Sequence, residues 1–166
     1  MIKTSLYRQK DPRWAYQKLG FSSYTIGNYG CAITSICNFL STYGLVVTPG
    51  ELNKKLKEVN GFAPDRNRQK CLVLWQKVID LFPSLLKTFW RAYNYDNQGV
   101  LTAIRSGVPV LVEVQLGGYR HWVLFVGDQK MVDPLRSILK RQEPTSKYPL
   151  LTGYCLLIRR EIWKYF

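Results

Sequence analysis

The residues able to carry acyl-transfer chemistry are few in this chain of 166 residues. It has one histidine, His121, and four cysteines, Cys31, Cys37, Cys71 and Cys155. Cys31 follows Asn28-Tyr29-Gly30, a tight Asn-x-Gly turn. From it the apolar residues Ile33, Ile36, Cys37 and Leu40 recur at helical spacing. That pattern predicts Cys31 in the first turn of a helix, where free backbone N–H groups and the positive dipole end favour a thiolate. Gly30 lets the backbone approach closely and leaves the sulfur accessible. A cysteine so placed is a candidate nucleophile, and His121 is the imidazole that would have to be its base.

An imidazole base needs a third group to fix its tautomer. Asp133 ends the strand expected after that of His121, and neighbouring antiparallel strands bring such positions side by side. Asp128 is nearer in sequence but falls in the turn at the far end of the hairpin, so Asp133 is preferred. The oxyanion of an acyl transfer also needs donors. The backbone N–H of Cys31 is one. Gln9 and Gln17 are side-chain candidates for the other, with Asn28 a weaker one. Each of these residues also has an ordinary reading. A cysteine at a helix start is commonly an inert small apolar residue, a histidine beside a tryptophan commonly a hydrogen-bonded core residue, and Asp-Pro commonly a turn starter. Cys37, Cys71 and Cys155 fall in apolar segments and read as core.

The elements that must position these groups follow from periodicity. Residues 1–30 read as mostly irregular. A helix is predicted over 31–43, ended by Gly44 and buried on one face. Thr48-Pro49-Gly50-Glu51 forms a capping box with Pro at the first helical position, opening a helix to about residue 59. A loop over 60–70 leads to a third helix over about 71–81, stopped by Pro83. A short strand is expected near 86–90, and a fourth helix over about 98–105, closed by Gly107. The β-branched run 108–114, the turn Leu116-Gly117-Gly118-Tyr119 and the run 121–126 predict a hairpin. A short strand at 130–133, a basic loop over 134–149, a last strand at 153–159 and an aromatic-basic tail complete the chain. Helices first and antiparallel strands after them give an α+β class in a single domain spanning 1–166.

Composition narrows the function classes. Hydrophobic residues make up 46% of the chain and aromatics 14%, enough for a real core and against disorder. With 24 basic and 11 acidic side chains the net charge is +13, which favours contact with an anionic polymer or an acidic protein. No run approaches the roughly 20 apolar residues of a membrane span. Residues 1–14 are polar and basic, without the apolar core of a signal peptide, so cytosolic synthesis with reduced thiols is expected, any release being by lysis or another non-secretory route. One histidine and scattered cysteines do not give the paired spacing of a zinc module.

Taken together, Gln9-x-Asp11-x-x-Trp14, Leu19-Gly20, Gly30-Cys31-Ala32-x-Thr34-Ser35, His121-Trp122-Val123-Leu124 and Val132-Asp133-Pro134 resemble a known pattern. It is that of the papain-like cysteine peptidases related to the bacteriocin-processing (double-glycine) peptidases, in particular their stand-alone bacterial and phage relatives. The resemblance covers roughly 7–44 and 108–135, in the right order, and leaves about 60–100 unmatched. It implies a papain-like fold, with a nucleophile helix packed on an antiparallel sheet that carries the base. Cys31 would be the nucleophile, His121 the general base and acid, Asp133 its orienting partner and Gln9 the oxyanion amide. It implies no metal and no organic cofactor. The substrate would be a peptide, a protein or a peptidoglycan peptide, cleaved by a peptide-processing or cell-wall-directed hydrolase.

A different class of function is a non-catalytic basic binding module on the same fold. It would use Arg136, Lys140 and Arg141 with Tyr119, Tyr148 and Trp163 against an acidic protein or nucleic acid. No helix-turn-helix, zinc-finger or single-strand-binding signature supports nucleic acid.

Overall fold

A computed structural model describes residues 4–92, 102–103, 105–116, 118–126, 130–135, 139–141 and 151–159. A one-turn helix α1 (Ile26–Tyr29) leads into α2 (Cys31–Ser41), followed by α3 (Pro49–Glu58). A two-stranded hairpin, β1 (Phe62–Pro64) and β2 (Lys70–Val73), precedes α4 (Trp75–Leu81). The strands β3 (Leu86–Ala92), β4 (Val110–Leu116), β5 (Tyr119–Phe125), β6 (Lys130–Val132), β7 (Leu139–Arg141) and β8 (Leu151–Arg159) form one antiparallel sheet in the order β3-β8-β4-β5-β6-β7. The architecture is mixed α+β, helices preceding the larger sheet as expected.

An isolated helix of eleven residues is marginal in water, so α2 must owe its stability to packing. Ile33, Ile36, Phe39 and Leu40 are wholly buried, each contributing about 1.5–3 kcal/mol of apolar burial. Their cluster takes in Leu52 and Leu56 of α3, Trp75 and Val78 of α4, and Leu86, Leu111, Trp122, Leu124 and Val132 of the sheet. The expectation of burial on one face falls short. Thr34, Ser35 and Asn38 are also fully buried, so α2 is enclosed on every side from Ile33 to Leu40. Gly44, at φ +79, ends the helix region, with Leu45 N donating back to Leu40 O at 3.2 Å.

The enclosing layer on one side of α2 is the amino-terminal segment. Ser5 N donates to Ser41 Oγ at 2.7 Å, and Asn38 holds Tyr7 by both atoms of its amide, accepting from Tyr7 N at 2.8 Å and donating to Tyr7 O at 3.2 Å. The segment is thus strapped along the helix and delivers Gln9 to the far end.

The capping box forms as expected, with Thr48 N donating to Glu51 Oε2 at 2.8 Å and Glu51 N to Thr48 Oγ1 at 3.3 Å. Two expectations fail in the middle of the chain. The loop over 60–70 contains β1, and the helix over 71–81 begins only at Trp75, its first residues belonging to β2. Leu74 N donates to Gly61 O and Phe21 N to Lys70 O, both at 2.9 Å, so β2 is held as a strand from two directions. Helical spacing in 71–75 lost to those pairings.

The expected hairpin is present. Leu116 pairs with Tyr119 across a two-residue turn in which Gly118 has φ +85, the left-handed region that glycine adopts without strain. Most of the expected helix over 98–105 lies outside the described residues, although Val108 N closes on Ala103 O at 2.9 Å beside Gly107 at φ +74. Most of the expected loop over 134–149 and all of the tail lie outside them too, and β7 occupies part of that loop.

Candidate active site

The site begins at the junction of α1 and α2. Ile26 N donates to Gln17 O at 3.0 Å and Gly27 N to Ala15 O at 2.8 Å, which anchors the single turn of α1. Gly30 N donates to Ile26 O at 2.7 Å, and α2 starts at the next residue. A Cβ on residue 30 would stand 2.5 Å from Ile26 O and 2.6 Å from Ile26 Cγ2. Glycine is required there by that approach, its φ of −84 being ordinary. Cys31 follows at the first turn of α2, half-buried, where the leading N–H groups of a helix lack intrahelical acceptors.

His121 comes from the hairpin strand β5 and Asp133 from the residue after β6. β5 pairs with β6 through Leu124 and Val132, which brings positions 121 and 133 to the same end of the two strands. His121 Nε2 lies 2.9 Å from Asp133 Oδ1, and both side chains are buried. The same Oδ1 accepts from Leu135 N at 2.8 Å, a turn that fixes the carboxylate before it meets the ring. A carboxylate accepts, so Nε2 carries a proton toward Asp133.

Cys31 is close enough to His121 to act on the basicity of the imidazole. Burial alone would depress the basicity of His121. The hydrogen bond to Asp133, then the hydrogen bond and charge of Cys31, then the charge of Asp133, more than offset it and push the pKa from 6.5 up to about 9. The arrangement therefore favours the imidazolium form of His121, near a cysteine at a helix amino terminus. Two buried or half-buried thiols elsewhere are held in the neutral form. Burial drives Cys37 well above the ordinary thiol range, and burial with the nearby Asp65 carboxylate raises Cys71 to about 11.

Gln9 is 2% exposed and tied to both halves of the site. Its backbone N donates to Pro134 O, the residue after Asp133, and its side-chain Nε2 to Gly27 O in α1, each at 2.9 Å. One amide hydrogen remains on Nε2, and among the described residues Oε1 has no partner. The other amide candidates are elsewhere. Gln17 is exposed, donates to Arg13 O at 3.4 Å and faces Gly50 of α3. Asn28 is exposed. Asp128 lies outside the described residues, as do Arg136, Tyr148 and Trp163 of the binding-module reading; the side chains of Lys140, Arg141 and Cys155 are likewise not described.

No family model matches the chain, and no curated protein matches it. Among the described residues no group of three or more His, Cys, Asp or Glu side chains could hold a metal ion. No helix among them is long and apolar enough to cross a membrane. Exposed aromatics adjoin the two central residues. Tyr29, 54% exposed, stands two positions before Cys31 and stacks on Tyr24 at 4.1 Å, while Tyr119 stands two before His121.

Residues that sequence reasoning missed lie behind the site. Ser35 Oγ donates to Trp122 O at 3.0 Å, and Asn38 secures the strap that carries Gln9. Ser35 belongs to the motif that carries the resemblance, without a role being assigned to it, and the only sequence signal for Asn38 is its polarity on an otherwise apolar helix.

Proposed function

We propose that this chain is a cysteine peptidase or amidase with a papain-like fold, cleaving a peptide or isopeptide bond through Cys31, His121 and Asp133. The observation that carries the reading is the buried 2.9 Å bond between His121 Nε2 and Asp133 Oδ1, on the one imidazole of a chain whose Cys31 opens α2. In the resting pair the Cys31 proton is already on His121 Nδ1, and the thiolate attacks the scissile carbonyl carbon. The oxyanion is held by the Cys31 backbone N–H and by the remaining amide hydrogen of Gln9. Collapse expels the amine, which takes its proton from the imidazolium, and leaves a thioester on Cys31. Water, losing a proton to His121, attacks the thioester and releases the acid and the thiol. Asp133 keeps the ring in the tautomer that presents Nδ1 throughout. No metal or organic cofactor enters these steps.

The substrate class that fits is a peptide, a protein or a peptidoglycan peptide. The net charge of +13 supports approach to an anionic polymer such as a cell envelope. The test is incubation with peptide mixtures and wall fragments, acid quench, and mass mapping. A thioester adduct on Cys31, with cleavage abolished in Cys31→Ala, supports the reading. Cleavage retained in Cys31→Ala, or salt-sensitive binding indifferent to Cys31 and without cleavage, contradicts it.

A further inference from the structure

A serine on a fully enclosed helix needs a reason. Ser35 has no exposed surface, and alanine there would be the better helix former with no polar atom to satisfy. The nearby hydroxyls of α2 bond back to the helix itself, Thr34 Oγ1 to Gly30 O at 2.8 Å and Ser41 Oγ to Asn38 O at 2.7 Å. Ser35 Oγ instead crosses to the sheet and donates to Trp122 O at 3.0 Å, a partner 87 residues away. The two ends of that bond are placed tellingly. Ser35 sits four residues after Cys31, one turn along the same helix face. Trp122 is the residue after His121, so its carbonyl belongs to the strand segment that fixes where the His121 Cα stands.

Apolar packing alone would hold α2 against β5 but would tolerate sliding, since dispersion contacts have little directional preference. A buried hydroxyl-to-carbonyl bond has a fixed length and direction, and it cannot be replaced by water without opening the core. It therefore sets the rotation and rise of the nucleophile helix relative to the base strand. We infer that Ser35 is a positioning residue for the thiol–imidazole pair, setting the separation of Cys31 and His121 through its bond to Trp122 O. This deepens the proposed hydrolase reading and rests on it.

The test uses the single histidine. NMR titration of the His121 ring protons is free of overlap from other imidazoles. It is run on the full chain as wild type, Ser35→Ala, Cys31→Ala and Ser41→Ala, with thermal unfolding of each. Ser41→Ala deletes the same hydroxyl from the same helix, but its bonds run to the amino-terminal strap and to the helix. It controls for general loosening. The expected result is a high His121 pKa in the wild type that falls in Cys31→Ala, falls by a large part of that amount in Ser35→Ala, and stays in place in Ser41→Ala. A Ser35→Ala pKa equal to the wild type, while Cys31→Ala lowers it, overturns the positioning role and leaves the hydrolase reading standing. A wild-type pKa that Cys31→Ala does not move overturns both, since no pair would exist to position. If Ser35→Ala is too unstable to titrate, Ser35→Thr, which keeps the hydroxyl, and Ser35→Val, which matches its shape without one, replace it. A pKa high in Ser35→Thr and low in Ser35→Val supports the role, and equal values overturn it.

Discussion

His121 Nε2 and Asp133 Oδ1 stand 2.9 Å apart, and each side chain is only 6% exposed. A pair so buried is weakly screened by salt, and losing one partner leaves the other unpaired in the interior. Asp133→Ala is expected to destabilise the fold by about 3–5 kcal/mol, since Leu135 N also loses its acceptor. It is also expected to lower the His121 pKa. Asp133→Asn, which keeps an oxygen for both donors, should recover much of the stability and little of the pKa. Urea unfolding and histidine titration of the two variants check this, and equal pKa values in Asp133→Asn and wild type would contradict it.

The protonated state of His121 also links stability to pH. Burial lowers the pKa, and the hydrogen bonds with Asp133 and Cys31 overcome it, so the folded value is about 9 against 6.5 for the free side chain. A raised folded pKa means that the native state holds the extra proton. The stabilisation is full below about pH 6.5 and is lost as pH rises through about 9, with a size on the order of 3 kcal/mol. Urea unfolding at about pH 6 and about pH 9.5 should show a larger loss in the wild type than in His121→Ala. Equal losses in the two proteins would speak against the shift.

Gly30 and Gly44 predict a contrast. A methyl group at Gly30 collides with the Ile26 carbonyl and side chain, so Gly30→Ala should push α2 away from α1, cost about 2–4 kcal/mol and slow Cys31 alkylation. Gly44 has φ +79 but open space around its Cβ position. Gly44→Ala should cost about 1 kcal/mol and leave Cys31 reactivity unchanged. Comparable effects of the two on alkylation would contradict the assigned role of the α1–α2 junction.

Gln9 should act after attack rather than before it. Gln9→Ala is expected to weaken binding of a peptide aldehyde, which forms an oxyanion-like adduct on the thiol, by about 100-fold. Alkylation of Cys31, which forms no oxyanion, should change little. A parallel loss in both would mean that the bonds from Gln9 to Gly27 O and Pro134 O matter only for structure.

What was readable from the sequence follows the distance over which each feature is determined. The α3 cap is set by Thr48 and Glu51, three residues apart, and the β4–β5 hairpin by its two-glycine turn, so local chemistry sufficed for both. The start of α2 at Cys31 was legible for the same reason, as was the coarse α+β class. The β1–β2 hairpin was not. Its strands are three and four residues long, and β2 is held by Phe21 and Gly61, which no local pattern announces. Leu72 of β2 and Trp75, the first residue of α4, are three positions apart and together also fit one helix. The turn α1 has no side-chain cap to mark it. Behind the site, the roles of Ser35 and Asn38 were not legible because their partners lie 87 and 31 residues away. The resemblance singled out Gln9, but not that its amide would be tied to Gly27 O.

The central claim is that Cys31 and His121 form a thiolate–imidazolium pair. It is tested most directly by the pH dependence of Cys31 alkylation with iodoacetamide, followed by peptide mass mapping, in the wild type and in His121→Ala. Fast labelling of Cys31 below about pH 7, lost in His121→Ala, with Cys37 and Cys71 labelling slowly throughout, is the expected result. Labelling of Cys31 that rises only through the ordinary thiol range and is the same in both proteins would contradict it.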